Sequence, residues 1–247
     1  MVHENQMHNQ SMFITLTYDD EHLPINESLN IKEFQLFMKR YRKYISPIKI
    51  RYFHCGEYGD VKNTRRPHYH SIIFGHEFED KELWKQDDNN LYTSDTLSKI
   101  WGKGFCTIAE VTYNTARYVA KYVTKKITAI QESPDIYQEH YQHITRYGES
   151  VELTKEYATM SRNKAIGRTW YDQFSKDTLK DFITIKGQKQ SIPKYYDKLY
   201  EIHDKEKYRK RKYKRIKQAK QHKEDQTIQR LKVREQCAYA KQNKGKL

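Results

Sequence analysis

Apolar positions recur along this chain first with a period of two, then with a period near 3.6, and each changeover marks an element. Met12-Phe13-Ile14-Thr15-Leu16-Thr17-Tyr18 is β-branched and aromatic and runs into Asp19-Asp20, which predicts a strand. Ile31, Phe34, Phe37, Met38, Tyr41 and Ile45 stand at helical spacing, with Lys39, Arg40, Arg42 and Lys43 on the other faces; Pro47 stops that helix. Ile50 to Glu57 and residues 68 to 74 predict two further strands, paired antiparallel because one loop joins them. Ser94 caps a helix to Trp101, Gly102 and Gly104 turn the chain into a strand from Phe105 to Val111, and Asn114 or Thr115 caps a helix to about Ile127. Strand, helix, strand, strand, helix, strand, helix is the order of an α+β fold, a ferredoxin-like split βαβ antiparallel sheet with helices on one side.

The pattern fades after residue 128. One compact segment, Tyr157 to Tyr171, interrupts polar loops, and from about Asp177 come a short helix, a break at Gly187 and a long helical tail. Two parts are expected: residues 1–175 as a folded domain and 176–247 as a basic, mainly helical extension. Charge sharpens that division. Of a net +14, residues 197–247 hold +11, from 18 Lys+Arg against 7 Asp+Glu. Such a tail suits a polyanion such as nucleic acid, or is a solvated helix that maintains solubility. Three scattered cysteines, Cys55, Cys106 and Cys237, form neither a disulfide framework nor a zinc knuckle. No apolar run reaches membrane-spanning length and no signal-peptide core is present, so a soluble, intracellular protein is expected.

The candidate chemistry begins at Arg66-Pro67-His68-Tyr69-His70. In a strand, His68 and His70 point to one face, a good start for a divalent metal site. Glu57 ends the neighbouring strand and can complete a His-His-carboxylate set; His54 and Asp60 are weaker alternatives. Mixed nitrogen and oxygen ligation suits Mg2+ or Mn2+. A second feature is Arg117-Tyr118-Val119-Ala120-Lys121-Tyr122-Val123-Thr124-Lys125. On a helical wheel Tyr118, Lys121, Tyr122 and Lys125 share one arc, while Ala116, Val119, Ala120, Val123 and Ile127 share the opposite one. Phenols beside ammonium groups can serve as nucleophiles toward phosphate, because the cations stabilise phenolate. With 21 tyrosines in the chain, such a pair also arises by chance.

Taken together and in this order, Phe13 to Tyr18, Gly56-Glu57-Tyr58-Gly59, Pro67-His68-Tyr69-His70 and Tyr118 to Lys125 resemble the three motifs of the HUH endonucleases that initiate rolling-circle replication. The resemblance covers residues 7–172. Leu16 to Pro24 and Met160 to Gly167 bring it closest to the initiators of microviruses of the gokushovirus-like group. It implies that Glu57, His68 and His70 hold the cation on a scissile phosphate. Tyr118 or Tyr122 then attacks phosphorus to leave a 5′-phosphotyrosyl link and a 3′-OH primer, and the second tyrosine later releases a circle. Lys121 and Lys125 stabilise the phenolate or leaving group, and Arg65, Arg66 and Arg117 contact DNA. The implied partners are single-stranded DNA at the replication origin, host polymerase and a host helicase; no phosphate loop for a built-in helicase is present. A monomer acting in the host bacterial cytoplasm is expected. Other readings are a plasmid, conjugative or transposon nickase, a metal-dependent hydrolase, and a DNA-binding module without catalysis.

Overall fold

The computed structural model describes residues 1–59, 65–86, 90–125, 140–185 and 187–243, without the side chains of 121–125, 239 and 241–243. The chain divides into two compact units, Met1–Gln173 and Phe174–Leu247. In the first, a short helix α1 (Val2–Asn5) precedes β1 (Ser11–Thr17), α2 (Ile31–Tyr44), β2 (Arg51–Tyr58), β3 (Pro67–Phe74), β4 (Glu82–Lys85) and β5 (Leu91–Thr93). Then follow α3 (Asp95–Trp101), β6 (Cys106–Glu110), α4 (Tyr113–Lys125), a small hairpin β7 (Gln142–Ile144) and β8 (Ser150–Glu152), β9 (Tyr157–Met160) and α5 (Arg168–Phe174).

Seven strands form one sheet in the order β4-β5-β6-β1-β3-β2-β9, and every pairing is antiparallel. The four longest strands, β6, β1, β3 and β2, lie at its centre, and the fold is α+β. Both faces of this centre are apolar. Met12, Ile14, Leu16, Tyr69 and Ile73 face one side, where Phe34, Phe37, Met38 and Tyr41 of α2 and Leu97 and Trp101 of α3 cover them. Burying each of these large side chains stabilises the fold by roughly 1.5–3 kcal/mol, so this layer is the main core. Phe13, Phe53, Cys55, Ile72 and Phe74 face the other side, where Ala116 and Val119 of α4 cover them. The expectation of helices on one side is therefore corrected. Runs such as Met12-Phe13-Ile14 and Ile72-Ile73-Phe74 are apolar at successive positions, and a strand of that kind needs cover on both faces.

Local signals explain the helix ends. The Asn30 side chain accepts from the Lys32 N–H at 3.0 Å and opens α2, and the Ser94 hydroxyl accepts from the Leu97 N–H at 3.0 Å and opens α3. For α4 the cap is Thr112, whose hydroxyl accepts the Thr115 N–H at 3.1 Å, not Asn114 or Thr115. The expected end of that helix at Ile127 lies outside the described residues. At Gly104 the backbone, at φ +134°, passes so close to residues 17–19 that a Cβ would sit 2.3 Å from the Asp19 nitrogen. Only glycine fits, and it delivers Phe105 beside Thr17.

The second unit is a hairpin, β10 (Phe182–Ile185) and β11 (Gln188–Ser191), followed by α6 (Lys194–His203), α7 (Lys205–Gln221) and α8 (Ile228–Asn243). Phe182-Ile183-Thr184-Ile185 and the turn at Gly187 form this hairpin where the sequence reading placed only a break. Its fastening is ionic. Arg215 donates to Asp197 at 2.6 Å and to Asp181 at 3.0 Å, and the Arg211 guanidinium lies 4.2 Å over the Tyr200 ring.

Candidate metal and nucleophile site

Strand register brings the two histidines and the carboxylate together. Glu57 of β2 stands directly opposite His68 of β3, and Cys55 stands opposite His70. Directly opposed residues share a face, and so do residues two apart, so Glu57, His68 and His70 project to the side covered by α4. The His70 Nε2 lies 2.6 Å from Glu57 Oε1, and the His68 Nε2 lies 3.9 Å from the same oxygen. Glu57 and His70 are buried, and His68 is half-buried at the rim.

A donor set of this kind can hold a metal ion. One atom from each of the three residues lies within 4.8 Å of the others. A cation about 2.1 Å from each donor places neighbouring donors roughly 3 Å apart, which small side-chain rotations reach from here. Binding at His70 Nε2 needs that nitrogen free of its proton, with the ring proton on Nδ1. The Thr15 hydroxyl oxygen sits 2.9 Å from Nδ1 and can accept it. Thr15 stands opposite His70 in the β1–β3 register, so it fixes the ring from behind. The sequence reading did not single out Thr15. Its signal was present: Thr15 and Thr17 are polar at alternate positions of a strand whose other residues are apolar.

The tyrosine helix lies against this same face. Ala116 and Val119 are buried under α4, whereas Arg117 and Tyr118 are exposed, as the helical wheel requires. The Tyr118 hydroxyl donates to Glu57 Oε1 at 3.4 Å. Its ring meets the His70 ring edge-on at 5.3 Å, and Phe13 wedges both from below, stacked on His70 at 5.5 Å. Tyr122 follows one turn later on α4; its side chain and those of Lys121 and Lys125 lie outside the described residues.

Other expected residues are placed differently. His54 faces the opposite side of the sheet, with no exposure and its ring stacked on Phe34 at 3.3 Å. Burial pushes its pKa well below the ordinary imidazole value, so it is a neutral core residue and not the third ligand. Asp60 lies outside the described residues. Arg66 donates to the Tyr18 carbonyl at 2.7 Å and pairs with Asp20, and Arg65 donates to the His140 carbonyl. Both guanidiniums thus hold protein groups, while Arg117 is exposed.

Comparison with known proteins agrees with this constellation. Residues 11–127 match the family model of the phage replication-associated protein ORF2. The replication-associated protein VP4 of Bdellovibrio phage phiMH2K is 31% identical over 217 residues, which span 83% of this chain and 62% of that protein. The replication-associated protein ORF2 of Spiroplasma virus 4 is 33% identical over 81% of this chain and 60% of its own length. The replication-associated protein ORF4 of Chlamydia phage 1 is 27% identical over 79% of this chain and 47% of its own. The chain thus spans about three fifths of the first two relatives and about half of the third. No solved structure matches it. The resemblance to microvirus-like replication proteins holds: residues 11–127 belong to the replication-associated protein ORF2 family, and the chain is a relative of phage replication-associated proteins.

Proposed function

We propose that this protein is a replication initiator of the HUH type that nicks single-stranded DNA at an origin through a tyrosine. The observation that carries this reading is the Tyr118 hydroxyl, 3.4 Å from Glu57 in a donor set with His68 and His70. A nucleophile and a phosphate-binding centre therefore share one edge of the sheet. When bound, Mg2+ or Mn2+ at Glu57, His68 and His70 would make phosphorus more electrophilic. Thr15 holds the tautomer of His70, and Phe13 holds the positions of His70 and Tyr118. Glu57 accepts the Tyr118 hydroxyl and so orients the phenol and receives its proton. The Tyr118 oxygen bonds to phosphorus as the P–O3′ bond breaks; the 3′ oxygen leaves, takes up a proton and becomes a primer. Tyr122, one turn along the helix, is the second nucleophile that later closes a circle, with Lys121 and Lys125 stabilising the phenolate or leaving group.

The fold reading that accompanies this is the ferredoxin-like split βαβ sheet of HUH nucleases. It is supported by the central order β6-β1-β3-β2, with α2 and α3 together on one face. Residues 1–175 act as the nuclease domain, and 176–247 as a basic extension that adds salt-sensitive affinity for DNA. Arg117, Arg65 and Arg66 line the approach of the strand. The 3′-OH goes to a host polymerase with a host helicase opening the duplex, in the bacterial cytoplasm, and one protein monomer suffices because it carries both tyrosines.

Incubating the full chain with Mn2+ and a pool of labelled single-stranded oligonucleotides tests this. A covalent adduct that survives denaturing electrophoresis, maps to Tyr118 or Tyr122 and disappears in the double Phe variant is expected. Tyr118→Phe alone should lower the first-turnover yield by at least about a hundred-fold. Cleavage that persists in the double variant would instead mean attack by metal-activated water, and the tyrosine mechanism would be wrong.

A further inference from the structure

The sheet row that carries Glu57 and His68 continues beyond them. Thr17 stands opposite His68, and the Thr17 N–H donates to the Phe105 carbonyl at 2.9 Å, one step past the Leu16–Cys106 pair. Glu57, His68, Thr17 and Phe105 are thus consecutive opposed positions on four neighbouring strands, and all four share a face. Phe105 stands about 10 Å from His68 across two strand spacings. Its ring meets Trp84 of β4 edge-on, with centroids 5.0 Å apart.

Both rings stay open to solvent. Trp84 is 53% exposed and Phe105 46% exposed, whereas Trp101 and Trp170 are buried. Their position is not loose, because Gly104 locks the backbone before Phe105 against residues 17–19. A pair of aromatic rings held rigidly, half open, beside a phosphate-binding centre matches a base-stacking surface. A second protein copy is a poorer occupant. Strand β4 has four residues, ends in Glu82 and Lys85 and carries a register irregularity, which is how edges are kept from pairing with another chain.

We propose that Trp84 and Phe105 form a stacking platform for a base of the single-stranded substrate, a short way along the strand from the phosphate at Glu57, His68 and His70. This rests on the nickase reading for its substrate class. Stacking reads the open π-face of a base, so the platform favours single strands over duplex and tolerates sequence.

The test is equilibrium binding of the full chain to fluorescein-labelled oligothymidylate in EDTA at fixed salt, where no cleavage occurs. Trp84→Ala and Phe105→Ala should each weaken binding about ten-fold or more. Trp84→Phe should stay within about three-fold of the parent, and duplex of the same length should bind all variants alike. An abasic oligonucleotide should bind the parent as weakly as it binds Trp84→Ala. Equal oligothymidylate affinity for the parent and both alanine variants would overturn the platform, as would equal losses on single strand and duplex. An adduct at Tyr118 with no loss in Trp84→Ala sinks the platform alone. Loss in Trp84→Ala without any adduct sinks the nickase reading and leaves the platform.

Discussion

His54 and His70 belong to one pair of hydrogen-bonded strands and are both buried, yet they have opposite chemical characters. His54 projects into the larger core, face to face with Phe34, with its Nε2 3.3 Å from the Tyr157 hydroxyl. It is surrounded by rings and is held neutral. His70 projects to the other side, with a carboxylate at one ring nitrogen and a hydroxyl at the other. The strand's two-residue period separates them, so the parity of a position decides which histidine is packing and which is chemistry. Burial alone does not distinguish the two; the polarity of what surrounds each imidazole does.

Substitutions that break this contrast should have graded effects. The largest is expected for His70→Ala, which should lower Mn2+ affinity measured by titration calorimetry by more than about a hundred-fold and remove adduct formation with it. Next comes Thr15→Val, which keeps shape but removes the group that holds the His70 tautomer; Mn2+ affinity should fall about 10- to 100-fold. If Thr15→Val binds Mn2+ as tightly as the parent, the proposed role of the hydroxyl is wrong. On the other face, His54→Gln should leave Mn2+ affinity unchanged and cost roughly 1–2 kcal/mol of stability in denaturant unfolding.

The smallest effect is a pH dependence. The folded pKa of His54 is depressed by burial, so below the ordinary imidazole value, about 6.5, the unfolded chain takes up a proton that the folded chain refuses. Its contribution to stability is therefore full above that pH and declines as pH falls, by at most about 1.4 kcal/mol per pH unit. The stability difference between parent and His54→Gln should shift in that sense between about pH 7 and 5. A difference that stays constant across this range would show that His54 is protonated in the folded state.

The long central elements were legible because their periods are unmistakable: Met12 to Thr17, Arg51 to Glu57 and His68 to Phe74 are strands within a residue or two of the expected bounds. Glu57 opposite His68 followed from antiparallel pairing of adjacent strands. Elements too short to display a period were missed. Glu82-Leu83-Trp84-Lys85 and Leu91-Tyr92-Thr93 have four and three residues, and β9 enters the sheet only by pairing with β2 from about a hundred residues away. Thr15 escaped for the same reason, since its role depends on β1 lying beside β3, which no local pattern specifies. The cover on both faces was written in the continuous apolar runs, but the ferredoxin-like element order suggested one-sided cover.

The Arg215 fastening bears on how the second unit meets a polyanion. A nucleic acid that docks on cationic side chains expels its own condensed counterions, and each phosphate neutralised on a single strand adds about 0.7 to the slope of log affinity against log salt. Arg211 and Arg215 are already compensated by Asp181 and Asp197. Of the 18 cations between 197 and 247, these two are withdrawn from that exchange, lowering the greatest attainable slope by about 1.4. The hairpin and the most basic helix are held together by charge that a strand can no longer use.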